Sequence, residues 1–439
     1  MDDDSVRARK GAELELFEEV RFPDSLGMLY SAITAYLGFD VNDAEYKVMG
    51  LAPYGEPRYV EQVRELLEVD ERGGFRLNLR YFDFLGGERM YTDALSDLFG
   101  QALREPESEL TEFAQDVARS TQVVLEEVLL EKAAWLREQV DSENLCLAGG
   151  GALNCVAVSR LVRSGLFERV FVQPAASDAG GALGAAAIAH VRLTGCRPTE
   201  EPMRHVYLGP SFAAEDVELL LRTAPAGIDD YRGRDDELLE EIAQRLAAGD
   251  VVGWFQGRME FGPRALGNRS ILADPRDPRM RDRINALVKK REAFRPFAPA
   301  VLEERVADHF ELDRPAPFMT ETCQVRSPLD LPAVTHVDGS ARPQTVDETN
   351  PRFRRLLEAF DRLTGCPILL NTSFNLRGEP IVCTPVDALI CFVRSDIDCL
   401  VLADFVLDRS ALPDSWLEWF RGRSALTPSG VADQVYTVL

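Results

Sequence analysis

Histidine is scarce: the 439-residue chain has four, His190, His205, His309 and His336, none within two helical turns of another. That spacing excludes a metal centre built on a paired-histidine helix. The eight cysteines include no C-x-x-C pair. They read as small buried residues in a reducing compartment, not as a disulfide framework or a zinc site. No apolar run approaches the ~20 residues that span a bilayer. Met1-Asp-Asp-Asp has neither the basic start nor the apolar core of a secretory leader, so a cytoplasmic location is expected. A Walker A loop is missing as well. Gly257-x-x-x-x-Gly262 continues into Pro263-Arg264, where Lys and Ser or Thr would be needed. Surplus positive charge is also absent. The formal net charge is -24, which repels nucleic acid and anionic membrane and makes tRNA or DNA a poor substrate.

Against that background one stretch stands out. Between Arg258 and Arg295 there are eleven Arg or Lys and five Asp or Glu, an excess of six. Glycines there let backbone N–H groups approach a ligand, and arginines offer forked donors for phosphate or carboxylate. Most charge runs are solvated faces. Here Gly, Pro and Phe interrupt the charges, which favours a pocket for a small, highly charged anion.

The length predicts two domains, or three, with a boundary in the Pro-rich, polar residues 191–210. Residues 1–12 read as loose, 14–20 as a strand, and the helix after Phe22-Pro-Asp-Ser as capped by Asp24 or Ser25. Glu45 to Gly55 reads as a loop of special geometry, broken by Gly50, Pro53 and Gly55. Lys47 lies in it, as a phosphate ligand or a solvent-exposed lysine. Apolar spacing over 109–139 predicts one long amphipathic helix. Then come a strand at 144–148, a glycine turn at Gly149-Gly150-Gly151, a helix at 156–164 and a strand at 169–173. A second glycine loop, Ser177 to Gly184, leads into an alanine-rich helix. Strand, glycine loop and helix in tandem describe an α/β sheet with anion-ready helix mouths at one end. Asn154 stands at the first mouth. Asp178 stands before the second, either as a metal ligand or as a helix cap.

In the second half, helices are expected near 215–222, 236–248, 278–290, 350–364 and 386–393. Strands are expected at 251–256, after Arg295, within 334–346, at 367–370 and at 400–407. A terminal helix carries Trp416 and Trp419. The apolar strand 367–370 delivers Asn371-Thr-Ser-Phe-Asn375, a polar cluster at a strand end. That cluster reads either as a site or as a turn closed by Asn and Ser side chains.

Taken together, Glu45–Gly55, Gly149–Asn154, Ser177–Gly181, Gly257–Gly267, His336–Arg342 and Asn371–Asn375 closely resemble the O-carbamoyltransferase family of nodulation-factor and antibiotic biosynthesis. The resemblance implies an α/β, actin-like ATPase-type domain over 1–200, similar to that of threonylcarbamoyl transferases and incomplete at its N-terminus. It implies an α+β domain over 201–439, similar to the synthase of threonylcarbamoyl-adenylate. It further implies that the second domain makes carbamoyl-adenylate from carbamoyl phosphate and ATP. Arg258, Arg264, Lys289, Arg295 and Arg342 match its basic positions for phosphate. Asn371, Ser373 and Asn375 match its nucleotide cluster. In the first domain, Lys47, Gly149, Gly150, Asn154 and Gly181 would hold the adenylate. Asp178 would hold a divalent metal, Fe or Mg, with ligands completed from outside the chain. The implied product is a carbamoylated hydroxyl on a small sugar or natural-product acceptor. Expected partners are that acceptor, carbamoyl phosphate and further copies of the chain; the family's His-containing N-terminal lobe is expected either on a separate polypeptide, or on a longer form of this chain, or lost together with the metal-dependent step. Nucleic acid and membrane are not among them. The alternative is a non-catalytic, nucleotide-binding subunit of a split carbamoyltransferase.

Overall fold

The computed structural model describes residues 4–10, 13–196, 203–222, 227–289 and 294–424, with backbone alone at 4–10, 13, 14, 289, 419, 420 and 422–424. The chain divides into two compact units, Met1–Pro202 and Met203–Leu439.

The first unit opens with β1 (Asp4–Lys10) and β2 (Glu13–Val20), an antiparallel pair. Within the stretch 1–12 expected to be loose, residues 4–10 are therefore a strand, because β2 supplies their backbone with partners, and the rest lies outside the described residues. Helix α1 (Leu26–Tyr36) is capped by Ser25, which accepts from Met28 N. Residues 45–55 are not a loop. They form α2 (Glu45–Leu51) and a 3₁₀ turn, Ala52–Tyr54. Gly50 costs such a helix about 1 kcal/mol, and burial of Val48 and Leu51 offsets it. Then come α3 (Val60–Arg64), the hairpin β3 (Leu67–Val69) and β4 (Phe75–Leu77), and α4 (Asp93–Phe99).

Helix α5 (Glu112–Gln139) follows, capped by Thr111, with Val117, Ala118, Val124, Leu125 and Val128 buried. It also carries buried polar groups that fix the chain after α2. Asp116 accepts from Glu56 N at 2.7 Å and from Arg58 at 2.8 Å, and Ser120 Oγ from Tyr59 N at 2.9 Å. A side chain at residue 55 would meet the Gln115 carbonyl oxygen at 2.1 Å, so only glycine permits this approach.

The unit ends with β5 (Asn144–Leu147), α6 (Cys155–Arg163), β6 (Arg169–Val172) and α7 (Asp178–Thr194). The second glycine loop is a correction: Gly180, Gly181 and Gly184 lie inside α7, which begins at Asp178. Strands β5 and β6 are parallel and form a sheet of two. Parallel sheets are ordinarily covered on both faces. Here α7 has no buried residue, and Phe171, Leu183, Ile188 and Leu193 are exposed.

The second unit runs α8 (Ala214–Leu221), β7 (Ile228–Asp230), α9 (Asp235–Ala247), β8 (Val252–Phe255), β9 (Arg269–Ala273), α10 (Met280–Ile284) and β10 (Ala298–Leu302). It continues with α11 (Val306–His309), β11 (Cys323–Gln324), β12 (Ser340–Ala341), β13 (Gln344–Val346), α12 (Pro351–Thr364) and β14 (Ile368–Ser373). Last come α13 (Pro385–Arg394), β15 (Cys399–Leu402), β16 (Phe405–Asp408) and α14 (Asp414–Ser424). Eight strands form one mixed sheet, ordered β13-β10-β14-β9-β8-β15-β16-β7, parallel at β13–β10 and β8–β15 and antiparallel elsewhere. Strands β8, β9, β10 and β15 are buried at every residue; β8, β10 and β15 accordingly read as apolar runs, whereas β9 opens with the buried polar residues Arg269 and Ser270 and is a strand not expected from the sequence.

Three expectations change here. Residues 278–290 begin as α10 but finish as a π-helix, Asn285–Lys289. The strand expected within 334–346 is two short ones, separated by Arg342 and Pro343. The strand expected at 400–407 is a hairpin, β15 and β16, turning at Ala403 with φ 51°.

Candidate active site

Strand register brings most of the second unit's candidates to one end of its sheet. Strand β8 leaves at Phe255 and β9 returns at Arg269, directly opposite it, so residues 256–268 form a loop at that end. Asn371 stands opposite Leu272 on one side and Ala298 on the other, and Ser373 is opposite Ser270. The end of β14 therefore lies beside the start of β10, three residues after Arg295. Strand β13 runs parallel to β10, with Ala300 opposite Gln344, so Arg342 enters from the same end. The loop that carries Arg264, together with Arg295, Arg342 and the Asn371 cluster, thus lies at one end of the sheet.

Inside the loop the backbone is held by two buried charges. Glu260 Oε1 accepts from the amides of Leu266, Asn268 and Arg269 at 2.6, 2.9 and 3.3 Å. Burial raises the Glu260 carboxyl above the usual carboxylate range, and the amide bonds and Arg269 oppose the rise. The Arg269 guanidinium is buried 3.6 Å from the Phe255 ring centre and donates to the carbonyls of Gln256 and Asn268 at 2.6 and 2.9 Å. Burial lowers its pKa to about 10. Gly267 has φ 104°, and a Cβ there would meet Phe353 at 2.3 Å. Asn268 donates to the Arg258 carbonyl at 2.7 Å and accepts from Asn350 at 3.0 Å.

The basic island is less uniform than its count. Arg276, Arg279 and Arg283 pair with Asp274, Asp277 and Asp398. Arg258 is exposed and donates to the carbonyls of Gly209 and Leu208 at 3.0 and 2.7 Å. Arg264, Arg295 and Arg342 are half-buried. The side chain of Lys289 lies outside the described residues.

The strand-end cluster serves the loop and its own turn. Asn371 Nδ2 donates to Gln344 Oε1 at 2.8 Å and to the Ala265 carbonyl at 3.3 Å. Gln344 Nε2 and the Tyr207 hydroxyl both donate to the Leu266 carbonyl, at 2.8 and 2.9 Å. Ser373 donates to Asn375 at 2.7 Å, and Asn375 to the Glu379 carbonyl at 2.6 Å. Sequence reasoning missed Glu260, Arg269, Gln344 and Asn350. The one available signal was a lone acid inside a basic, glycine-rich loop.

In the first unit, Asn154 caps α6 by accepting from Ala157 N at 3.0 Å. It also exchanges two amide bonds with Gln122, at 2.9 and 3.1 Å. Gln122 continues to Glu126, which pairs with Arg160 at 2.8 Å. Lys47 is buried, with its ammonium 5.4 Å from the Phe39 ring centre, so the solvent-exposed alternative fails. Space is open beside Gly149, Gly150 and Gly181: a Cβ at any of them would meet nothing within 4 Å. Asp178 is exposed at the first position of α7, whose cap residue is Ser177. Among the described residues no group of three or more His, Cys, Asp or Glu could hold a metal ion. Asp178 by itself does not fit a divalent cation, which needs several protein ligands or waters.

The carbamoyltransferase N-terminus model matches residues 3–187, and the carbamoyltransferase C-terminus model matches residues 243–409. The chain belongs to the carbamoyltransferase family. An uncharacterised protein of Synechocystis is 49% identical to this carbamoyltransferase, over 95% of this chain and 73% of that one. Nodulation protein NolO of Bradyrhizobium diazoefficiens is 43% identical, over 95% and 75%. Nodulation protein NolNO of Sinorhizobium fredii is 42% identical, over 92% and 59%. The crystal structure of full-length HypF in its phosphate- and nucleotide-bound form aligns at TM-score 0.28 and 18% identity, over 42% of this chain and 22% of that one. No described helix is long and apolar enough to cross a membrane.

Proposed function

We propose that this carbamoyltransferase activates carbamoyl phosphate with ATP and passes the carbamoyl group to a hydroxyl of a small sugar or natural-product acceptor. Water first cuts carbamoyl phosphate to carbamate and phosphate. A carbamate oxygen then attacks the α-phosphorus of ATP, forming carbamoyl-adenylate and expelling pyrophosphate. Splitting the transfer this way makes the adenylate the activated donor that the second step uses.

One observation carries the reading: the gathering of the 256–268 loop, Arg295, Arg342 and Asn371 at a single end of a rigid sheet. Cations arranged there would stabilise charge on the departing phosphate and pyrophosphate oxygens. Arg264, Arg295, Arg342 and Lys289 are assigned to the phosphates. Arg258, committed in part to backbone carbonyls, is assigned to the same loop. Asn371, Ser373 and Asn375 are assigned to the nucleotide.

The adenylate then passes to the first unit. Open backbone at Gly149, Gly150 and Gly181, beside the helix mouths of α6 and α7, supports a nucleotide there; Asn154 and the buried Lys47 are assigned to it as well. A metal held at Asp178, Fe or Mg, would need ligands from another polypeptide, so no step is routed through it. Exposure of the apolar residues Phe171, Leu183, Ile188 and Leu193 on β6 and α7 supports a further polypeptide seated on this unit.

Pyrophosphate release is the test. The purified chain receives carbamoyl phosphate and ATP, alone and together with the segment of the Synechocystis relative that it does not match. Absence of pyrophosphate in both mixtures would sink the reading. The same uncovered face favours a second reading, a non-catalytic subunit in a split enzyme. In that case Arg342→Ala would leave the activity of the assembled complex intact.

A further inference from the structure

The 256–268 loop joins neighbouring antiparallel strands, yet it is far longer than the two to five residues of an ordinary hairpin connection. A loop of that length keeps one shape only if its backbone is bonded internally. Glu260 supplies those bonds. The Leu266 amide, bonded to Glu260 Oε1 at 2.6 Å, closes residues 261–265 into a lobe. The Asn268 and Arg269 amides, on the same oxygen, tie the lobe's base to the start of β9. Arg269 answers from the other side by holding the carbonyls of Gln256 and Asn268. One buried anion thus gathers amides while one buried cation gathers carbonyls. Arg264 lies within the lobe that Glu260 closes.

A turn needs no buried carboxylate, and burying one is costly. The second oxygen of Glu260 is buried without a hydrogen-bond partner among the described residues. Sealed in this way the carboxylate is poorly placed to exchange protons with a substrate. Its accessible role is to shape the lobe.

We propose that Glu260 is a positioning residue of the anion site: by closing the 261–265 lobe it sets where the Arg264 guanidinium stands. The proposal rests on the reading of this sheet end as the phosphate site. Glu260 touches no substrate and acts through Arg264.

The test uses the full chain and the variants E260A, E260D, E260Q, R264A and E260A/R264A. Three readouts are taken: pyrophosphate release with KM for carbamoyl phosphate, calorimetric binding of carbamoyl phosphate, and hydrogen exchange at the Leu266 and Asn268 amides. E260A should speed exchange at both amides and lower kcat/KM roughly 100-fold, the scale of a 1 Å misplacement. E260Q keeps an acceptor oxygen and should recover to within about tenfold. The double variant should be no worse than R264A, because both changes remove one interaction. If E260A does not fold, E260D decides: it keeps the charge, shortens the reach, and should raise KM in a folded protein. Multiplying losses in the double variant, or wild-type KM and binding in E260D, would overturn the proposal. A wild-type chain that neither turns over nor binds carbamoyl phosphate, or R264A with normal binding and turnover, would instead sink the reading of the site.

Discussion

Asn371 and Gln344 meet end to end over the intervening strand β10, the Asn371 amide donating to Gln344 Oε1 at 2.8 Å, both side chains almost wholly buried. Gln344 then donates to the Leu266 carbonyl. The strand-end residue predicted to touch nucleotide is therefore also a brace for the arginine loop.

Replacing Asn371 by Ala should leave the buried Gln344 oxygen without its donor. The expected cost is about 1–3 kcal/mol of stability, read as a lower urea midpoint with an unchanged slope. An unchanged midpoint would show that water replaces the bond at no cost.

Arg264→Ala should abolish most pyrophosphate release while the thermal midpoint stays near wild type. The side chain belongs to a loop and not to the core. Loss of an anion donor in a preorganised site is worth roughly 10²–10³ in rate. Wild-type turnover in this variant would remove Arg264 from the site.

Gly267→Ala should be among the most damaging single changes in the second unit. It combines a backbone conformation that costs about 1–3 kcal/mol for a side chain with a 2.3 Å approach to Phe353. Adding Phe353→Ala should relieve the overlap but not the backbone cost, so the double variant should be less destabilised than the sum of the two singles. Strict additivity in denaturation would contradict the contact.

His309 gives the fold a pH dependence. It is buried with Nδ1 2.8 Å from the Ser327 hydroxyl, and burial, assisted by Arg305, holds its pKa below the ordinary 6.5. The unfolded chain binds this proton more readily than the folded one. Stability is therefore fully present above about pH 6.5 and falls as the pH drops from there through the folded value. Urea midpoints between pH 7.5 and pH 5 should decline in the wild type and decline less in His309→Asn. Parallel declines would assign the effect to other groups.

Much of the second unit was legible because several of its strands are buried on both sides and appear as apolar runs bounded by turn residues; β9, which starts with Arg269 and Ser270, and the exposed β7 were not. Ile368 to Leu370 announces β14, and Val252 to Phe255 announces β8. Helix α5 was legible through its 3.6-residue period. Residues 45–55 were misread because local breakers, Gly50 and Pro53, were weighed without the packing of Val48 and Leu51 that overrides them. The start of α7 was misread for the same reason, as glycines suggested a loop where helix continues. Within the site, the arginines were visible as an excess of charge. Their division into donors aimed at carbonyls, partners of aspartates and groups at the sheet end was not. That division depends on strand register between residues far apart in sequence. Glu260 and Arg269 were overlooked because charged residues are read as surface unless burial is known.

The parallel pairing of β8 with β15 also governs when the second unit can form. Gln256, at the end of β8, bonds the Ala403 carbonyl across 147 positions of chain. Ribosomes add about 5–20 residues per second, so β8 waits roughly 7–30 s for that neighbour to be made. Throughout the interval an apolar strand edge lies open. Pairings between such distant segments are intrinsically slow to form and leave strand edges exposed to aggregation until they close.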